Sequence, residues 1–182
     1  MLFEEGKYYH LYNRSNNREL LFKQERNYRY FLKKFRQHCD PFFETIAFCL
    51  MPTHFHFLVR FLSTDLGGAR KAIAILLSSY TKAINIQSKR QGSLFQPHTK
   101  VIEISDDSYF LTLVSYIHQN PVRAGIVNQM ESWPHSSYKI LLDSSLDAWK
   151  KNSTIYSKFK DSTEFRKFSE IMLESIRSEF WV

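Results

Sequence analysis

Residues 51–59 read MPTHFHFLV. After Met-Pro-Thr the run is aromatic and β-branched, which favours a strand. Side chains on a strand alternate between faces. Phe55, Phe57, Val59 and Phe61 then share one face, and His54, His56, Leu58 and Arg60 share the other. Two imidazoles side by side on one face are placed to share a metal ion. They are equally well placed to be two half-buried rings with ordinary hydrogen bonds, and spacing alone leaves both readings open. Just upstream, FFETIAFCL at 42–50 reads as another strand. The short MPT connection makes the two strands a hairpin.

Working outward, KYYHLYNR at 7–14 has the tyrosine content of a strand. Residues 24–39 carry Tyr28, Phe31, Leu32, Phe35 and Cys39 at helical spacing, with Arg26, Arg29, Lys33 and Arg36 on a separate ridge. A second helix spans 66–90, with Ile73, Leu76, Leu77, Tyr80 and Ile84 on its core stripe and Gly92 as its stop. TKVIEI at 99–104 alternates like a strand, and SDDS at 105–108 is a helix-start signal. The helix after it ends at Asn120-Pro121, because a residue before proline is pushed out of the α region. The order β-α-β-β-α-β-α predicts an α+β fold: a ferredoxin-like antiparallel sheet with helices on one face and one added helix. Residues 1–138 form this unit. Residues 139–182 form a C-terminal extension with an amphipathic helix marked by Phe165, Phe168, Met172 and Ile176.

Composition narrows the function. The 182 residues are 43% hydrophobic and 16% aromatic, enough for a packed core and against disorder. No apolar run has membrane-spanning length, and the N-terminus has no signal-peptide pattern. Cys39 and Cys49 lack metal-type spacing and suit small buried residues of a cytoplasmic protein. The net charge is +7. Residues 1–138 hold 17 Lys and Arg against 11 Asp and Glu, whereas 139–182 hold 8 against 7. The first three quarters therefore look suited to a polyanion.

A second cluster sits in YIHQNPVRAG at 116–125. Tyr116 and Asn120 are four apart, one above the other on a helix face. A core aromatic with a helix cap is the plain reading. The chemical reading joins them to the histidine pair. Two imidazoles and an amide oxygen leave positions open on a divalent metal, which a phosphodiester oxygen would fill. Tyr116 would then be the nucleophile, conserving the phosphoester bond without ATP. That agrees with the lack of any P-loop pattern. His118 points about 200° away around the helix from Tyr116. Tyr80 belongs to a core stripe, and His98 and His135 have no identifiable partner.

Taken together the motifs resemble the single-tyrosine HUH (histidine, hydrophobe, histidine) transposases. More narrowly, they resemble the REP-associated tyrosine transposases of the transposase IS200-like kind. The matching stretches are MPTHFHFLV, SYTKAIN at 79–85, GSLFQ at 92–96, YIHQNPVRAGIV at 116–127 and WPHSSY at 133–138. The resemblance implies a metal site of His54, His56 and Asn120, and Tyr116 as catalytic nucleophile. It also implies Mg or Mn as cofactor, single-stranded or hairpin DNA as substrate, and a 5′-phosphotyrosine intermediate. Imidazole ligands favour Mn over Mg. The family often has glycine and arginine after the phenylalanine-glutamine pair, where this chain has Pro97 and His98 before Lys100.

The DNA contacts expected are Arg14, Arg18, Arg26, Arg29, Lys33, Arg36, Lys89, Arg90, Lys100 and Arg123, with Phe95 either stacking on a base or buried in the core. The helix at 24–39 and the loop at 89–100 would carry the hairpin. A catalytically inactive nucleic-acid-binding module of the same fold is the alternative, as is a phosphodiesterase that uses water. A homodimer is left open.

Overall fold

The MPT hairpin lies at the centre of the protein's computed structural model, which describes residues 3–143 and 153–171. Strands β2 (Phe43–Met51) and β3 (His54–Phe61) pair antiparallel, with Pro52 and Thr53 alone between them. Strand β1 (Tyr8–Arg14) lies antiparallel between β3 and β4 (Lys100–Ile104), giving the sheet order β2-β3-β1-β4. Helices α1 (Glu25–Cys39) and α2 (Leu66–Ser88) make the two crossovers. This is the ferredoxin-like arrangement expected from the element order.

The period-2 pattern of β3 divides the core in two. Phe55, Phe57, Val59 and Phe61 bury against Phe31 and Phe35 of α1 and Ile73, Leu76 and Tyr80 of α2. Phe35 and Phe57 stack at 3.9 Å between ring centres. The Tyr80 hydroxyl donates to the Leu21 carbonyl at 2.7 Å, so this phenol is a core residue. On the opposite face, Leu58, Cys49 and Ile46 pack against Phe110, Leu113 and Ile117 of α3 (Asp107–Arg123). The expectation of helices on one face holds for α1 and α2. The added helix α3 takes the other face, because β3 presents Leu58, the half-buried His54 and the fully buried His56 there and that surface also needs cover.

Two boundaries differ from the sequence reading. Helix α3 does not stop at Asn120 but runs through Pro121 to Arg123. Proline's fixed φ suits a helix, and what it removes is one backbone bond near the end. Burial of the whole stretch 113–121 outweighs that loss. Helix α2 is capped by Lys89 in the left-handed region (φ 49°), while Gly92 (φ 85°) turns the loop beyond it. The start of α3 is as expected, with the Asp106 carboxylate accepting from the Ser108 and Tyr109 amides.

After α3 come the short helices α4 (Tyr138–Leu142) and α5 (Ser153–Tyr156), then α6 (Ser162–Glu170). Phe165 of α6 is fully buried against His118 and Tyr138, so this part of the extension covers the second core. Phe168 packs on Phe159. Met172 and Ile176 lie outside the described residues.

His118 is fully buried, with Nε2 sharing a 2.8 Å hydrogen bond with Ser137 Oγ. Burial holds its pKa down at about 3, and that of the equally buried His10 at about 3. Unfolded, both rings titrate near about 6.5. Between about pH 3 and 6.5 the unfolded chain therefore binds more protons, so stability is complete above that window and falls as pH drops through it. Urea midpoints measured at pH 7.5 and pH 5 should show a clear loss at pH 5. Equal midpoints would mean these rings are not held neutral.

Candidate active site

The face of β3 that carries His54 and His56 lies under α3. The two imidazole centres are 5.1 Å apart and nearly perpendicular. Tyr116 descends from α3 with its ring edge-on to His56, 5.7 Å between centres. Asn120 stands one turn further along the same helix face, and both side chains are buried. The four residues singled out in the sequence thus meet within one chain.

Their hydrogen bonds set the orientations. Asn120 Nδ2 donates to the Tyr116 carbonyl at 2.9 Å, which leaves Oδ1 available as an acceptor. The Asn120 amide acts on both neighbours, raising the pKa of His54 and lowering that of Tyr116. His54 Nδ1 lies 3.1 Å from Thr53 Oγ1, in the hairpin turn. His56 Nδ1 lies 2.9 Å from His10 Nε2, and His56 Nε2 is buried with no hydrogen-bond partner. A buried imidazole nitrogen without a partner is costly in a protein alone, and as a lone pair it is satisfied by a cation.

Burial dominates the electrostatics. It pushes the His54 pKa down to about 4, partly offset by Asn120 and reinforced by Arg14. It holds His56 well below the usual histidine range, helped by repulsion from His10 and His54. Both rings are neutral near pH 7, the form that ligates a metal. Burial also raises the Tyr116 phenol, while Asn120 and Arg123 act to lower it. The phenol alone is thus a poor nucleophile, and a nearby cation would correct that. Among the described residues no group of three or more His, Cys, Asp or Glu could hold a metal. The donor set here is two imidazoles and an amide oxygen, which fits Mn or Mg with positions left open.

The basic residues fall into separate groups. Arg14 pairs with His54 across the strands, Lys100 pairs with Tyr12, and Arg123 acts on Tyr116, so these three border the site. Arg18, at the end of a short 3-10 turn, and Lys89, the cap of α2, are exposed. The ridge of Arg26, Arg29, Lys33 and Arg36 is exposed on α1, in the layer on the far side of the sheet from Tyr116. Arg90 is a brace, forked between Glu19, Asn85 and the Ser93 carbonyl. Phe95 is a core residue, 4% exposed and packed with Phe55 and Tyr80, so it offers no face to a base. His135 does have partners: it stacks on Tyr28 at 3.6 Å and pairs with Glu25.

Two site residues escaped the sequence reading. His10 and Tyr12 project from β1 onto the histidine face, with Tyr12 directly opposite His56. Alternation in YYHLYNR put them on one face, but only the β1–β3 register reveals which face and next to whom.

The chain was compared with known proteins. A family model described as "Transposase IS200 like" matches residues 5–120, more than half of the chain. The chain is 30% identical over 118 residues to a Haemophilus influenzae protein named as a REP-associated tyrosine transposase, covering 59% of this chain and 66% of that protein. It therefore spans just under two thirds of that relative's length. Among solved structures it resembles a REP-associated tyrosine transposase bound to a REP hairpin, with a TM-score of 0.61 and 22% identity over 76% of this chain and 81% of the other. That likeness shows the fold. No helix among the described residues is long and apolar enough to cross a membrane. The match over residues 5–120 carries the hairpin, the sheet and the helix that bears Tyr116 and Asn120, and by it this chain belongs to the transposase IS200-like family.

Proposed function

We propose that this protein cuts and rejoins single-stranded or hairpin DNA through a 5′-phosphotyrosine on Tyr116. The observation that carries the reading is the meeting of the Tyr116 ring with His56, whose Nε2 is unpartnered, and with Asn120 one turn along the same helix face, between β3 and α3. His54, His56 and Asn120 would hold the divalent metal. When bound, it supplies Lewis-acid activation of the phosphodiester and an electrostatic pull on the phenol.

The chain's own groups do the rest. Tyr116 loses its proton, and the phenolate oxygen forms a bond to phosphorus. The bond from phosphorus to the 3′-oxygen breaks, and that oxygen takes up a proton to leave as a 3′-hydroxyl. Attack by a free 3′-hydroxyl reverses the balance and reseals the strand. Asn120 holds the phenol on the sheet side of α3. Arg14, Lys100 and Arg123 border the pocket and would neutralise phosphates there, giving binding that weakens with salt. The relative solved with a REP hairpin supports a hairpin substrate here.

The test is incubation of the full chain with end-labelled hairpin DNA and Mn²⁺, followed by denaturing electrophoresis. Label retained on the protein is expected. Cleaved DNA with no protein-linked label would assign the reaction to water. Binding without cleavage would leave a DNA-binding module.

A further inference from the structure

The β1–β3 register creates an arrangement that the proposed chemistry does not use. His10 faces Leu58 across the strands, and Tyr12 faces His56, so His10 is the diagonal neighbour of His56 on the same face. The two rings are both fully buried, stacked at 17° with centres 5.1 Å apart, and joined Nε2 to Nδ1 at 2.9 Å. Tyr12 lies against both, 4.7 Å from His10 and 5.9 Å from His56, and limits their rotation.

One proton is shared in such a contact, and its position decides what His56 can do. If His10 Nε2 carries it, His56 Nδ1 is the acceptor. Neutral His56 then bears its own hydrogen on Nε2 and cannot ligate through that atom. If His56 Nδ1 carries it, Nε2 keeps a lone pair and can ligate. In both arrangements His56 Nε2 is buried with no protein partner. Each arrangement leaves one buried N–H without a hydrogen bond, on His56 Nε2 in the first and on His10 Nδ1 in the second, and only the second gives a cation a lone pair on His56 Nε2 to bind.

We propose that His10 is a positioning residue: it accepts the His56 Nδ1 proton, fixes His56 as the Nδ1–H tautomer, and so readies Nε2 as a metal ligand. This rests on the metal site proposed above. Its direct test does not, because the tautomer is readable in protein without metal or DNA.

In ¹⁵N-histidine-labelled wild-type protein, His56 Nε2 should show the shift of an unprotonated ring nitrogen and Nδ1 that of a protonated one. A scalar coupling should cross the hydrogen bond to His10 Nε2. A proton found on His56 Nε2 overturns the proposal, whatever the activity. Two variants add the functional arm. His10→Leu removes the acceptor, and Mn²⁺ affinity should fall about 10- to 100-fold. His10→Gln restores an acceptor near the same place and should recover most of that loss. If Gln binds Mn²⁺ as weakly as Leu, or if Leu binds as tightly as wild type, the positioning role is refuted. Failure of the wild-type protein to form a DNA adduct, with the tautomer as stated, would instead count against the proposed enzymology alone.

Discussion

Tyr116→Phe should abolish the covalent protein–DNA adduct while leaving hairpin binding within about threefold of wild type. The substitution removes one oxygen and keeps the ring that packs edge-on to His56 and fills the second core. No neighbour offers a ready substitute. Tyr80 is buried on the far face with its hydroxyl given to the Leu21 carbonyl. Tyr12 lies on the histidine face but stacks flat against His56 rather than standing over it. Losing the nucleophile of a covalent mechanism removes the chemical step altogether, a loss of at least about 10³-fold. Labelled hairpin, Mn²⁺ and a denaturing gel read it. An adduct that persists in the phenylalanine variant would move the nucleophile elsewhere.

Phe57→Ala should destabilise the fold by about 3–5 kcal/mol, the usual range for emptying a buried phenylalanine site. Phe57 is 1% exposed, stacks on Phe35 and touches Phe31, Phe48 and Phe55. Its neighbours come from helix α1 and strands β2 and β3, so the cavity cannot close by moving one element. The consequence reaches the site, because Phe57 sits between His56 and Leu58 on β3 and holds that strand against α1. Urea unfolding followed by circular dichroism measures the loss. A cost below about 1 kcal/mol would mean that this ring is not the keystone of the first core.

Much of this was readable in MPTHFHFLV itself. A strand with one aromatic face and one histidine face declares its two sides, so the hairpin and the facing of each residue followed from period-2 alternation, whereas the cover that α3 gives the histidine face did not. Tyr116 and Asn120 were readable as a pair because helix geometry fixes neighbours four apart. The His10–His56 contact was not, because it spans 46 positions and depends on strand register, which local spacing does not encode. Helix α3 passed through Pro121 because tertiary burial overrode a local preference. The placement of α1 on the face away from Tyr116 separated its basic ridge from the site. Charge spacing along a helix says which residues are together, but not which side of the sheet they end on. Arg90 and Phe95 went the same way, one into a brace with Glu19 and the other into the core.

The central claim is that the phenol of Tyr116 is the atom group that takes the DNA. Digesting the wild-type adduct with nuclease and protease, then sequencing the nucleotide-bearing peptide by mass spectrometry, tests it most directly. The account predicts a 5′-linked nucleotide on Tyr116 in the peptide around residues 116–123. A nucleotide on Tyr12, Tyr80 or any residue but Tyr116 would contradict it.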